Sequence, residues 1–107
     1  MAKIIDITDK LNFEEKPIVK IKDTELTVNN DAMDILKVTA IFEEENIRSS
    51  DILAMFELLF DEENREKLKA LRLSMKDFAS VIMNTARAAI NNYEDEPQGE
   101  APTPATT

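Results

Sequence analysis

Apolar and polar residues alternate in two short segments in the first third of the chain. Residues 18–21 (Ile-Val-Lys-Ile) and 25–28 (Glu-Leu-Thr-Val) flank three polar residues, which is the pattern of a β-hairpin. Val19 and Ile21 share one face of the first strand. The earlier run Ile4-Ile5-Asp6-Ile7 can add a third, edge strand. Because a lone hairpin is only marginally stable, we expect this sheet to pack against the rest of the chain.

After the strands, apolar residues recur every three to four positions, which predicts helices. The first helix is expected to begin with Asn30 or Asp31 as its N-cap and to end within residues 43–46. A second helix is expected to open at Ser49 or Ser50.

Two further helices follow in the pattern. Asp61 is the expected N-cap of a short, highly charged third helix. In the last helix Ser74, with Asp77 three residues later, resembles a capping box. The apolar residues of this helix then keep the 3.6-residue period for four turns. They are Phe78, Val81, Ile82, Thr85, Ala86, Ala89, Ile90 and Tyr93.

The composition divides the chain into one folded domain and a tail. We expect a single domain over residues 1–93, with the strands in residues 1–30 and the helices in residues 31–93. Residues 94–107 follow the expected end of the last helix. They hold three of the four prolines and the only glycine, and they include no large apolar residue. Such a segment cannot bury enough surface to offset its ordering entropy, so we expect a disordered, acidic tail. The predicted fold is α+β and predominantly helical, with a hairpin of two or three strands packed on about four helices.

The composition excludes most kinds of catalytic site. The chain has no cysteine and no histidine, so it lacks a thiolate, the commonest metal ligand and the commonest general base. No glycine precedes Gly99, so neither a phosphate-binding P-loop nor a dinucleotide fingerprint can form. The acidic clusters at residues 43–45 and 61–63 lack the mid-loop glycine of an EF-hand. We therefore expect a protein that is not an enzyme and that uses no cofactor and no metal.

The three glutamates at residues 43–45 are the one acidic cluster without a structural explanation. Acidic residues are favoured at helix N-termini, but these lie at the end of the first helix, where the helix dipole disfavours them. The alternatives are a solvated helix end and a contact with a partner protein.

The net charge of −9 bears on partners and location. The chain has 22 acidic and 13 basic residues, a balance that argues against binding to nucleic acid or to anionic membranes. No apolar run approaches the roughly 20 residues that span a bilayer, and Asp6 interrupts any signal-peptide core. We expect a soluble, intracellular protein.

The helical part carries more apolar residues than one face of each helix can hold. Residues 52–60 contain one polar residue, Glu57, so this helix is either central in the core or partly exposed as a binding surface. In the first helix, Val38 and Ile41 cannot both face the side that holds Leu36. The residues expected to contact a partner protein are Val38, Ile41, Phe42, Leu53, Met55, Phe60 and Met83.

Several stretches together carry a family resemblance. They are residues 1–8 (MAKIIDIT), residues 19–22 (VKIK) of the hairpin, residues 29–32 (NNDA), residues 57–68 (ELLFDEENREKL) and residues 71–78 (LRLSMKDF). In these stretches the chain resembles the small tail assembly chaperones of long-tailed phages and prophages of Gram-positive bacteria. The resemblance covers about residues 1–93 and includes no catalytic motif.

The resemblance implies a helper protein in the cytoplasm of the host cell. Such a protein would bind the long, helical tape measure protein, keep it soluble, help to recruit tail tube subunits and not enter the mature virion. An acidic body with uncovered apolar helix surface suits this role. Self-association into a homo-oligomer is compatible with the same apolar excess.

Two other functions remain open from the sequence. One is a small structural component of the tail or capsid that stays in the particle. The other is an acidic phage inhibitor that blocks a host protein by mimicking nucleic acid.

Overall fold

A hairpin followed by four helices makes up most of the computed structural model, which describes residues 3–11 and 15–95 and, for residues 92–95, the backbone alone. The elements are a 3₁₀ turn (Thr8–Lys10), strands β1 (Ile18–Ile21) and β2 (Thr24–Thr27), and helices α1 (Ala32–Phe42), α2 (Ser49–Leu59), α3 (Glu62–Ala70) and α4 (Met75–Asp95). The predicted α+β, predominantly helical fold is confirmed.

The hairpin follows from the alternation in the sequence. β1 and β2 pair antiparallel with Val19 opposite Leu26, and Leu26 and the following Val28 are buried. The tight turn between the strands needs a left-handed residue, and Lys22 takes that conformation with φ 54°. Glycine is the usual residue for such a position, but the only glycine of the chain is at position 99.

The third strand expected at residues 4–7 is not formed, because a local turn competes with it. Asp6 Oδ1 accepts hydrogen bonds from the backbone N–H of Thr8 at 3.0 Å and from its hydroxyl at 2.6 Å. A short carboxylate that binds the backbone two residues later favours a turn over an extended strand. Both hydrogen bonds from Thr8 lower the pKa of Asp6, and the bond from the hydroxyl has the larger effect.

Helix α3 covers the outer edge of β2. The buried Asn64 accepts a hydrogen bond through its side-chain oxygen from the backbone N–H of Thr27 at 2.9 Å. Asp61 Oδ1 fixes the orientation of this amide by accepting from its Nδ2 at 2.8 Å. Farther along the same edge, Lys67 Nζ lies 3.5 Å from the backbone oxygen of Glu25. These bonds attach the hairpin to the helical part.

Replacing Asn64 with Ala is expected to destabilise the domain by about 1–3 kcal/mol, because the Thr27 N–H loses its partner. Urea unfolding followed by circular dichroism would measure the change in the free energy of unfolding. Asn84→Ala is the matched control, because Asn84 is exposed on α4, and it should change stability by less than about 0.5 kcal/mol. Equal effects of the two substitutions would contradict the role assigned to Asn64.

The helices begin where the sequence predicts. Asp31, Asp61 and Ser74 each accept a hydrogen bond from a backbone N–H in the first turn of α1, α3 and α4, at 3.2, 3.0 and 3.2 Å. Helix α2 begins at Ser49, and the Asp51 carboxylate accepts from the N–H of the residue before Ser49 at 2.9 Å. Capping side chains thus satisfy N–H groups that have no partner inside the helix.

The core lies among α1, α2 and α4, and the hairpin and α3 add apolar side chains to it. The Phe56 ring on α2 meets Phe78 of α4 edge to face, with 5.2 Å between centroids, and lies 6.4 Å from the tilted ring of Phe60. Helix α2 is therefore the central helix, as one of the two interpretations of its apolar run predicts. Its buried residues are Ile52, Met55, Phe56 and Leu59.

Helix α4 confirms the predicted 3.6-residue period. Ile82, Ala86 and Ile90 lie on its buried face. The helix continues to Asp95, two residues beyond the expected end of the folded domain at residue 93. The predicted disorder of the tail otherwise falls on residues 96–107, outside the residues that the structure describes.

Candidate functional site

A polar cleft of about 270 Å³ opens where the end of β2 and the ends of three helices meet. Its charged lining residues are Lys16, Asp34, Glu57, Asp61 and Arg65. Because carboxylates and cations lie side by side in it, this cleft is a candidate binding site.

The polar groups of this cleft bind one another and the backbone. Asn29 Nδ2 donates to Asp34 Oδ2 at 2.7 Å and to the backbone oxygen of Leu58 at 2.9 Å. Arg65 Nη1 donates to the backbone oxygens of Glu57 and Phe60 at 2.9 and 2.8 Å, at the end of α2. These are carbonyls that the helix itself leaves unpaired. The cleft therefore joins the hairpin to the helices.

Asp61 gives the cleft a pH dependence. The backbone and side-chain hydrogen bonds from Asn64 lower the pKa of Asp61, and Lys16 and Arg65 lower it further. Because the folded-state pKa lies below the unfolded one, this group stabilises the fold above its unfolded pKa. That contribution is lost as the pH falls through the folded-state value.

Asp61→Asn should remove this titration while keeping an oxygen at the N-cap. We expect the difference in unfolding free energy between the wild type and this variant to shift toward the variant as the pH falls below about 4, where a free carboxyl titrates, and through the lowered folded-state pKa. Urea unfolding at a series of pH values measures the difference. Parallel pH curves for the two proteins would refute the assignment.

Among the described residues, no group of three or more acidic side chains could hold a metal ion, and every buried side-chain nitrogen or oxygen has a hydrogen-bond partner. In the same part of the chain, no helix combines the length and the hydrophobicity needed to cross a membrane.

Three of the residues expected to contact a partner are core residues. Val38, Met55 and Phe60 are almost fully buried, so they offer no surface to another protein in this fold. The reason is the helical period: Val38 lies three residues after the buried Ile35, and Met55 three after the buried Ile52. Their assignment as partner-binding residues is corrected.

The other four expected residues are partly or largely accessible. Ile41, Phe42 and Met83 are half-buried against the core. The Arg87 guanidinium of α4 lies 5.6 Å from the centre of the Phe42 ring and shields it further. Leu53, on α2, is 54% exposed and is the most accessible of the seven.

The outward face of α1 is the apolar surface that the sequence interpretation missed. Met33 and Leu36 are 64% and 50% exposed, and Ala40 beside them is also exposed. Positions 33, 36 and 40 are three and four residues apart, so they form a stripe on the side opposite the buried Ile35 and Val38. We call these three residues the α1 stripe. A second apolar period, offset from the first, is the sequence signal that predicts it.

Comparisons of the chain with family models, with curated proteins and with solved structures gave no match.

The three glutamates after α1 lie next to the end of the α1 stripe. Glu43, Glu44 and Glu45 are exposed. The one ion pair among the described residues joins Lys69 and Glu66 of α3 at 2.9 Å. No described cation therefore forms a salt bridge with the three glutamates. An apolar stripe that ends in three accessible carboxylates fits a partner that is apolar on one face and basic at one end.

The segment before the hairpin is a second exposed apolar feature. Ile4 and Ile5 are 88% and 75% exposed, and Ile7 and Leu11 are half exposed. None of residues 3–11 belongs to the core.

Proposed function

We propose that this chain is a non-enzymatic phage tail assembly chaperone that binds the tape measure protein through the α1 stripe. In this role it keeps the tape measure protein soluble in the host cell cytoplasm and helps to recruit tail tube subunits. The single observation that supports the proposal most is the uncovered apolar outward face of α1.

The α1 stripe has the properties of a surface made for burial. Its large side chains stand on a helix whose other face is already fixed in the core, so ordering the surface costs little. Covering the exposed parts of Met33 and Leu36 would contribute about 1–2 kcal/mol each. Methionine adapts its shape to different neighbours, which suits a surface that must accept successive segments of one long client.

The expected client segment is an amphipathic helix with basic residues near one end. A helix seats its apolar face on a complementary stripe through residues three and four positions apart. Glu43, Glu44 and Glu45 then supply carboxylates for lysine or arginine side chains of the client. The net charge of −9 keeps the resulting complex soluble.

Co-expression with a candidate tape measure protein from the same genome tests the proposal. We expect more soluble tape measure protein than in cells without this chain, and co-purification of the two. An unchanged soluble fraction together with no co-purification would reject the proposal.

The same system separates the chaperone from the two other functions. A chaperone is released before the particle is complete, so mass spectrometry should not find the chain in purified virions. Its presence there would favour a structural tail or capsid component. Recovery of host DNA-binding proteins in place of tail proteins in a pull-down would favour an acidic inhibitor.

A further inference from the structure

The outer edge of β1 pairs with no strand among the residues that the structure describes. Residues opposite each other in an antiparallel pair point their backbone groups either toward the partner strand or both away from it. Thr27 pairs with Ile18, and its N–H points away from β1, toward Asn64. The backbone groups of Ile18, and two residues later those of Lys20, therefore point to the opposite, outer side.

The described residues form hydrogen bonds to the outer edge of β2 but not to that of β1. On the β2 side, Asn64 and Lys67 occupy the outward backbone groups of Thr27 and Glu25. On the β1 side, no described residue is hydrogen-bonded to the outward groups of Ile18 or Lys20. An open edge of this kind is a template for another extended segment.

The segment Ile4-Ile5-Asp6-Ile7 has the composition of the missing strand. Three of its four residues are isoleucines, which favour strands, and all four residues are exposed. The turn made by Asp6 and Thr8 is stabilised by local hydrogen bonds at the surface, so it can be exchanged for a ladder at small cost.

A parallel alignment matches the two segments residue by residue. It places Ile4 beside the exposed Ile18 and Asp6 beside Lys20, which gives an apolar pair and an opposite-charge pair on the outer face. It also places Ile5 and Ile7 on the inner face, next to the half-buried Val19 and Ile21. The best antiparallel alignment pairs Asp6 with Lys20 but leaves Ile4 opposite Lys22 and Ile18 opposite Thr8.

The length of the connection favours a second copy of the chain. Parallel strands need a crossover of about a dozen residues or more, usually built around a helix. Only residues 8–17 separate Ile7 from Ile18, so parallel pairing within one chain is disfavoured. Direct pairing of two β1 edges is disfavoured as well, because it brings Lys20 of one copy close to lysines of the other.

We propose that two copies of this chain associate by reciprocal exchange, with residues 4–7 of each copy adding a parallel strand to the β1 edge of the other. The exchange closes with two-fold symmetry and pairs the β1 edge of each hairpin. It uses none of the three residues of the α1 stripe.

Disulfide trapping tests the exchange directly, since the chain has no cysteine of its own. The variants Ile4→Cys and Ile18→Cys change exposed side chains, and one of them carries a small tag so that mixed dimers can be distinguished. After mixing and mild oxidation at high protein concentration, we expect a tagged–untagged covalent dimer. Mixing Ile4→Cys with Lys22→Cys is the matched control, and it should give at least about fivefold less mixed dimer because parallel register keeps the two positions apart.

Three outcomes would overturn the proposal. One is no excess of mixed dimer over the control pair. Another is a mixed dimer formed mainly between positions 4 and 22, which is the antiparallel register. The third is an intramolecular disulfide in the double variant Ile4→Cys/Ile18→Cys at low protein concentration.

Sedimentation equilibrium provides a second test with the unmodified chain. We expect association from 12.2 kDa to twice that mass, weakened at least about tenfold by Ile5→Asp, because an apolar side chain is lost from the inner face of the added strand. Ile5 is exposed in the single chain, so this substitution leaves the fold intact. A wild type that stays at 12.2 kDa, or an Ile5→Asp variant that associates equally well, would refute the exchange.

Discussion

Met33→Glu is expected to weaken binding of the tape measure protein by at least about thirtyfold, the effect of losing one central contact of an interface. The substitution places a carboxylate at the N-terminal end of the apolar stripe, where the client helix would have to bury it. Met33 is already largely exposed, so the free energy of unfolding should change by less than about 0.5 kcal/mol. Binding is measured by titrating a labelled client fragment, and stability by urea unfolding.

The chain offers a close control for this experiment. Met75 is 60% exposed at the start of α4, which is nearly the exposure of Met33, but it lies outside the α1 stripe. Met75→Glu makes the same chemical change and should leave the affinity unaltered. If both variants bound as tightly as the wild type, the α1 stripe would not be the client surface.

Phe60→Ala is expected to destabilise the domain by about 3–5 kcal/mol, the usual cost of removing a buried aromatic side chain. Phe60 is almost fully buried, and its ring lies near Phe56 in the core. Since small domains are stable by about 5–15 kcal/mol, the variant should unfold at a much lower urea concentration. Urea unfolding of the purified proteins measures the difference.

Leu53→Ala is the informative comparison for the buried position. Leu53 lies on the same helix as Met55 but is more than half exposed, so its truncation should cost less than about 1 kcal/mol. A similar loss of stability for Leu53→Ala and Phe60→Ala would show that the assignment of core and surface on and around α2 is wrong.

Local chemistry made the fold largely predictable. Three helix starts are predictable because short polar side chains accept hydrogen bonds from the first N–H groups of a helix. The residues that do so are Asp31, Asp61 and Ser74. The hairpin is equally readable from its alternating residues. The choice between two and three strands stayed open in the sequence, since Asp6 and Thr8 form a turn that an apolar pattern does not reveal.

The candidate surface was less predictable, because a helix that is apolar all round does not say which face turns inward. In α1, the position of α2 and α4 decides that Ile35 and Val38 are buried and that Leu36 is not. Met55 was assigned to the partner surface for the same reason. Its helix, α2, is the central one, and this position in the fold buries Met55. Tertiary packing, which a single sequence does not display, selects between two apolar faces of similar quality.

Photo-crosslinking from position 36 is the most direct measurement of the central claim, that the α1 stripe holds the client. A photoreactive residue replaces the half-exposed Leu36 in one variant and Met75 in another, and each is irradiated in cells that make the tape measure protein. We expect a covalent adduct with the tape measure protein from position 36 and little or none from position 75. Equal adducts from both positions, or an adduct from position 75 alone, would contradict the central claim.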